Sequence, residues 1–304
     1  MVEEKSHASE KWAAYVGCNQ SHAEVVNRKE LQALAALLDY PVESTAGSSE
    51  LPWPDDNLPP FAHWINVLPL ASQSQLGEDG HPKRGSFMPP LEFPRRMWAG
   101  SRVQRLGSYA VDQPLTHTTI IKSITPKSGR SGDMVFVTLS HQFFVQQKLV
   151  VHEEQDLVYR AAAAKPLPEP RVLPQVDITE NYDFDWFQLI QPDPTLLFRY
   201  SAVTFNAHRI HYDREYARAV EYYPGLVVQG PLTATLLLDL YQRECPGQQV
   251  SEFEFRGLGA LYDKHPFYLM GKASNDGADL WAVGPDGVKA MQMHVTISAG
   301  NDDG

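Results

Sequence analysis

Cysteine is scarce: Cys18 and Cys245 are the two in 304 residues, far apart and without a metal-type spacing. That excludes a disulfide-stapled secreted scaffold and points to a reducing, cytoplasmic compartment. Positive charge is also short. Twenty-six lysines and arginines against 37 aspartates and glutamates leave a formal net charge of -11, the wrong sign for a nucleic-acid partner, which needs a basic face. No apolar run reaches the about 18 residues of a membrane span; the nearest, "PGLVVQGPLTATLLLDLY", is broken by Gln, Gly, Pro and Thr. The opening "MVEEKSHASEKWAAYVG" has no apolar centre of a signal peptide. A G-x-S-x-G elbow is missing, and so is a glycine-rich phosphate loop after a strand; "GLG" at Gly257 to Gly259 sits inside a strand-like run.

What is present is enough for a packed core, with 43% hydrophobic and 11% aromatic residues. Four alanines followed by four prolines make "AAAAKPLPEPRVLPQ", from Ala161 to Gln175, a semi-rigid linker by composition. It divides the chain into residues 1–160, 161–175 and 176–304. In the second part "PTLLFRYSAVTF" reads as a strand, rich in aromatic and β-branched residues. Asp213 then stands as an N-cap before a helix over "REYARAVEYY", and Gly230 and Pro231 open a second, mostly apolar helix, "GPLTATLLLDLYQRE". Four strand-like runs follow, separated by hairpin chemistry at Asn275 to Gly277 and Gly284 to Gly287. One buried helix followed by an antiparallel meander implies a curved sheet wrapped around that helix. The first part ends in a three-strand meander with a glycine turn at Ser128 to Gly132. In front of it, where such a helix belongs, stands "GEDGHPKRGSFMPPLEFPRRMWAGS", too broken by Pro and Gly to be one helix. The halves read as a degenerate repeat whose first copy has lost its helix, leaving room for a ligand.

The densest chemistry lies at "TFNAHRIHYD", Thr204 to Asp213. His208 and His211 are three apart and have no third ligand nearby, so a metal site is not expected. General acid–base work remains, since a histidine near its ordinary pKa moves protons at neutral pH. Read plainly, the same polar residues cap a helix and satisfy a turn. About twenty residues on, Gly230 offers a backbone N–H at the start of the buried helix, suited to a developing enolate oxygen, or acts as a simple N-cap.

"TFNAHRIHYDREYA" followed by "YPGLVVQGPLTATLL" resembles the strand–turn–helix of the MaoC-like, hydratase-type hot-dog proteins. "SQLGEDGHPKRGSFMPPLEFPRRMWAG" and "KSGRSGDMVFVTLSHQ" resemble the first hot dog of its double hot-dog subgroup, which includes mesaconyl-C4-CoA and itaconyl-CoA hydratases and mitochondrial hydroxyacyl-thioester dehydratases. The resemblance implies an α+β double hot-dog fold, catalytic in its second half, whose two halves pair within one chain. It implies reversible hydration of a 2,3-unsaturated acyl-CoA, a short branched dicarboxylic one giving citramalyl-CoA, with CoA as part of the substrate and no further cofactor. His211 matches the catalytic histidine and Gly230 the thioester-binding amide, with Val228 and Gln229 beside it. Asn206 stands where the family has an aspartate and His208 where it has an asparagine; Asn206 is then expected to hold the water through its amide together with His211, and the proton work falls on His211, with His208 beside it. A free carboxylate on the substrate needs a cation, for which Arg209, Arg95 and Arg96 are the candidates. Trp98 is expected beneath the ligand or in the core. A dehydratase of longer 3-hydroxyacyl chains and a non-catalytic thioester-binding protein stay open as alternatives, as does association of two chains into a homodimer.

Overall fold

The computed structural model describes residues 11–41, 50–129 and 132–298. Residues 1–10 of the opening segment and the centre of the Ser128 to Gly132 turn, Arg130 and Ser131, lie outside them. Strand β1 (Asn19–Val25) leads into helix α1 (Arg28–Leu37), then an irregular stretch with 3-10 turns at Ala62–Ile65 and Gln73–Gln75. Strands β2 (Arg95–Arg105), β3 (Pro114–Gly129), β4 (Gly132–Val145) and β5 (Lys148–Arg160) complete the first half. The second half contains α2 (Gln175–Thr179), β6 (Trp186–Ile190), α3 (Pro194–Val203), α4 (Arg214–Ala219), α5 (Gly230–Glu244), β7 (Val250–Gly257), β8 (Phe267–Ser274), β9 (Gly277–Val283) and β10 (Lys289–Ile297).

All ten strands form one antiparallel sheet in the order β1-β3-β4-β5-β2-β7-β10-β9-β8-β6. Two half-sheets of five strands therefore meet at a single seam, β2 against β7, where Gly100 faces Arg256 and Gln104 faces Glu252. Gly100 is required there: a Cβ at this position collides with the Phe255 carbonyl oxygen. The halves pair within one chain, as the resemblance implied.

The long helix α5 has the bounds read from the sequence. Its residues Leu232 to Tyr241 are buried on every side, so a helix without a polar face has no route to the surface. Leu232, Leu237 and Leu238 are wholly inaccessible and belong to the main core together with Phe253, Phe267, Leu269 and Val295. Helix α1 joins the same core through Leu31, Leu34, Ala35 and Leu38. It packs against α3, and the residues that follow it meet the last turns of α5, with Arg243 donating to the Leu38 carbonyl at 2.8 Å and the Tyr40 hydroxyl to Asp239 at 2.8 Å.

One expected element differs in kind. "PTLLFRYSAV" is the helix α3, not a strand. Asp193 caps it by accepting from the Leu196 N–H at 2.7 Å, Pro194 occupies its first turn, and Leu197, Tyr200 and Ser201 are buried. A buried face at i, i+3, i+4 outweighs the aromatic and β-branched composition on which the strand reading rested. The helix over "REYARAVEYY" is shorter than expected, ending at Ala219, which frees Glu221 from the helical ladder.

In the first half no long helix occupies the concave face among the described residues, and the broken segment lies there instead. Leu91 is buried with Ile121, Val135, Val137, Leu139, Leu157 and Tyr159, and Phe87, Met88, Phe93 and Trp98 pack against them. The segment thus fills much of the room expected from the lost helix. Deeper in, Glu153 accepts from His63 Nε2 at 3.0 Å, Trp64 Nε1 at 3.0 Å and the Ser101 hydroxyl at 2.5 Å. Burial alone pushes the Glu153 carboxyl up, but the His63 hydrogen bond and charge, with His141 and Ser101, hold it at about 2.

A carboxyl depressed in the fold contributes stability that is present above its ordinary value of 4.5 and lost as pH falls towards 2. We expect Glu153→Gln to cost about 3–5 kcal/mol in urea unfolding at pH 7, because the other members of a buried charged network lose their partner. The variant should also flatten the acid fall in stability; an unchanged unfolding midpoint at pH 7 contradicts this role.

Candidate active site

The segment Thr204 to Asp213 runs between two helices. After α3 the backbone reverses through Phe205, which adopts a left-handed conformation (φ 48°). Asn206 then turns inward on its own chain: its N–H reaches the Ser201 carbonyl at 2.8 Å, and its Oδ1 accepts from the His208 N–H at 3.1 Å. This is an Asx-type turn. A 3-10 turn, Arg209–His211, follows, and Asp213 caps α4 by accepting from the Tyr216 N–H at 3.0 Å.

The turn aims His211 at the start of α5. Its Nδ1 lies 2.7 Å from the Val227 carbonyl oxygen, and that contact assigns the proton to Nδ1 and leaves Nε2 with a lone pair. Burial first, and then the neighbouring His208, lower the His211 pKa to about 3, against an opposing pull from the Val227 carbonyl. The ring is therefore a neutral base throughout the physiological range. Val228 is buried and fixed by its N–H to the Leu261 carbonyl at 2.9 Å. The Gln229 amide donates to the Leu197 carbonyl (2.8 Å) and the Ser201 hydroxyl (3.0 Å), which ties the start of α5 to α3. Gly230 is the first residue of α5, where an N–H has no intrahelical partner and the helix dipole favours negative charge. The Trp98 carbonyl oxygen is 3.9 Å from where a Gly230 Cβ would stand, so β2 of the first half passes directly beside this helix end.

Two further side chains enter the site that the sequence did not single out. His208 is buried, with Nε2 3.5 Å from Glu221 Oε1. Glu221 Oε2 accepts from Arg95 Nε at 3.4 Å, and the Arg95 guanidinium lies 4.6 Å from the Tyr223 ring centroid. From the first half, His81 packs its ring 4.3 Å from that of His208, which stands 5.3 Å and near perpendicular to His211. Burial, followed by Arg96, His208, His211 and Arg84, holds the His81 pKa well below its ordinary value, although the ring keeps part of its surface accessible.

The loop carrying His81 is clamped to the turn carrying His208. Arg209 N–H donates to the Asp79 carbonyl at 2.9 Å and Arg209 Nη1 to the Glu78 carbonyl at 3.0 Å. Gly80 has φ 85°, and a Cβ on it runs into the Ala207 carbonyl. "GEDGHP" signals a turn in sequence, but nothing local signals where that turn docks.

The three expected arginines separate. Arg209 bonds Asp213 through Nε (3.0 Å) and Nη2 (2.6 Å) and stacks on Tyr216, so it braces the turn. Arg95 is buried against Glu221. Arg96 makes no ion pair or hydrogen bond among the described residues and lies near enough to His81 to depress it. Trp98 is half-buried, donates to the Gly100 carbonyl and the Ser101 hydroxyl, and stands edge-on to Trp64.

The chain can now be set against known proteins. The sequence profile of hydroxyacyl-thioester dehydratase type 2 matches residues 61–263. A mesaconyl-C(4)-CoA hydratase from Chloroflexus aurantiacus is 43% identical over 293 residues, covering 95% of this chain and 99% of that protein. The chain belongs to the hydroxyacyl-thioester dehydratase type 2 family. Membership makes it a hydro-lyase. Solved structures agree on the double hot-dog fold. A MaoC-like dehydratase from Phytophthora capsici superposes with a TM-score of 0.65 at 12% identity, over 97% of this chain and 99% of that one. A Mycobacterium tuberculosis protein described as a double hot dog gives 0.54 at 14% identity, over 93% and 96%. In this member of the dehydratase family, then, the turn at Thr204 to Asp213 meets side chains from both halves, with His81 against His208 and Arg95 on Glu221.

Two outcomes test the geometry. Nitrogen NMR of the His211 ring should report the Nδ1–H tautomer, still neutral at pH 5; titration near 6.5, or an Nε2–H tautomer, contradicts the assignment. Gly80→Ala should cost more than about 1 kcal/mol in urea unfolding because φ is positive and the space is filled; a neutral substitution means that the loop does not sit on Ala207.

Proposed function

We propose that this protein catalyses reversible addition of water across the 2,3 double bond of an acyl-CoA, with His211 as the base. The observation that carries the reading is the pairing of a His211 ring fixed through Nδ1 with the open N-terminus of α5 at Gly230. As the water oxygen bonds to C3, His211 Nε2 takes its proton. The C2=C3 electron pair shifts towards the thioester carbonyl, whose oxygen is stabilised by the Gly230 N–H. Protonation at C2 then gives the 3-hydroxyacyl thioester. The CoA is part of the substrate, and the proposal involves no further cofactor.

For the acyl group we favour a short diacid such as mesaconyl-C4-CoA. The similarity to the Chloroflexus hydratase over nearly the whole of both chains supports it, and so does Arg96, a cation close enough to His81 to lower it and with no side-chain partner among the described residues. Arg95 and Arg209 leave this role, because their charges are spent on Glu221 and Asp213. Dehydration of longer 3-hydroxyacyl thioesters is the second reading, favoured by the family description. The packing of Phe87, Met88 and Leu91 into the first half weighs against it by taking up the space for a long chain. The two cysteines, both unpaired, suit the cytoplasm, and no helix among the described residues is long and apolar enough to cross a membrane. Two such chains forming a homodimer are part of the proposal.

Absorbance of the enoyl-thioester band, followed with mesaconyl-C4-, itaconyl- and crotonyl-CoA, tests the reading. We expect loss of the band with a diacid substrate and a fall of about a hundredfold or more in kcat for His211→Ala. Arg96→Ala should raise KM for the diacid by about tenfold, the scale of one charged hydrogen bond, and leave crotonyl-CoA unaffected. Turnover of crotonyl-CoA alone moves the function to ordinary fatty-acyl chains. Silence on all three, with CoA esters still bound, makes the protein a thioester-binding one.

A further inference from the structure

We infer that His208, not Asn206, is the second proton-handling group of the site, and that Glu221 held by Arg95 is the residue that positions it. The inference rests on the hydratase reading for its chemistry and on geometry for the assignment. Asn206 stands where the family pattern has an acid, yet its Oδ1 is taken by the His208 backbone N–H within the turn. An amide has no proton to lose and none to accept at that oxygen in this pH range. His208 occupies the interior: its ring is buried at 5% exposure, against His211 on one side and His81 on another.

Glu221 is equally buried, at 6%, and a carboxylate is taken out of water only where charges meet it. Two do. Arg95 approaches Oε2 from β2 of the first half, and His208 Nε2 approaches Oε1 from the turn. The three form a line, cation to carboxylate to imidazole, in which Glu221 orients the His208 ring with Nε2–H towards itself and leaves Nδ1 for exchange. The ionisable groups around His208 are therefore Glu221 and, beyond it, Arg95, then His211 on its own segment and His81 from the first half. This is the logic of an acid that fixes a catalytic histidine, here fixing the histidine that stands beside the base.

The proton count closes. In hydration, His211 Nε2 takes one proton from water as the C3–O bond forms and the π bond breaks. That proton passes from His211 to the free Nδ1 of His208, which delivers it to C2 as the enolate collapses, and both rings return to their starting forms with one water added.

The test compares four proteins on the substrate that the wild type turns over best. His208→Ala should lower kcat about a hundredfold, and Glu221→Gln, which keeps shape and removes charge, about tenfold, with KM changed less than about threefold. Asn206→Ser keeps a turn-capping oxygen and should retain kcat within about threefold. Equal losses in Asn206→Ser and His208→Ala, or an unchanged kcat in Glu221→Gln, overturn the inference. Ring-nitrogen NMR of His208 without substrate tests the pairing even if no acyl-CoA is turned over. Wild type should show an Nε2–H hydrogen bond that Glu221→Gln alters, and identical spectra sink the assignment. Melting temperatures of the three variants within a few degrees of wild type separate these effects from misfolding.

Discussion

Everything in the site depends on the seam between β2 and β7. This short ladder joins two half-sheets, and its register is held by Gly100, where only a residue without a side chain lets Phe255 come close. Once the seam is set, the direction of β2 fixes what the first half offers to the second. Trp98 passes beside Gly230, Arg95 reaches Glu221, and the chain running into β2 lays His81 on His208. The helix α5 supplies the complementary constraint. It is too apolar to be anywhere but the centre, so its N-terminus and the turn that meets it are held in the interior.

A second consequence concerns charge. The protein is acidic as a whole, but Glu221 meets Arg95 and His208, His208 stands between His81 and His211, and Arg96 and Arg84 are near enough to His81 to lower it. Burial keeps His81 and His211 neutral, so the cluster is tolerated without mutual repulsion and stays rich in proton acceptors.

Much of this was legible in the sequence, and the reasons differ by element. Helix α5 announces both ends through Gly230, Pro231 and the "CPG" stop, and its uniform apolarity declares its burial. The C-terminal meander follows from turn chemistry at Asn275 to Gly277 and Gly284 to Gly287. His211 and Gly230 stand out through a local motif, and in the structure His211 bonds the Val227 carbonyl three residues before Gly230. Helix α3 misled because its composition suits a strand, while its three-and-four spacing at Leu197, Tyr200 and Ser201 and its Asp-Pro start carried the better signal. Helix α1 was open to the same test, with Leu31, Leu34, Ala35 and Leu38 on one face. His81 and Glu221 could not have been found so. Their roles come from contacts across the fold, and neither "GEDGHP" nor "VEYYPG" says what it faces.

The clamp between Arg209 and Glu78 joins groups 131 positions apart in the chain. During synthesis the loop with His81 is made well before the turn that receives it, so the pocket stays unfinished until the second half has folded back. A product that stops short of Thr204 would therefore carry His81 and Arg95 without the His208 and Glu221 that they meet.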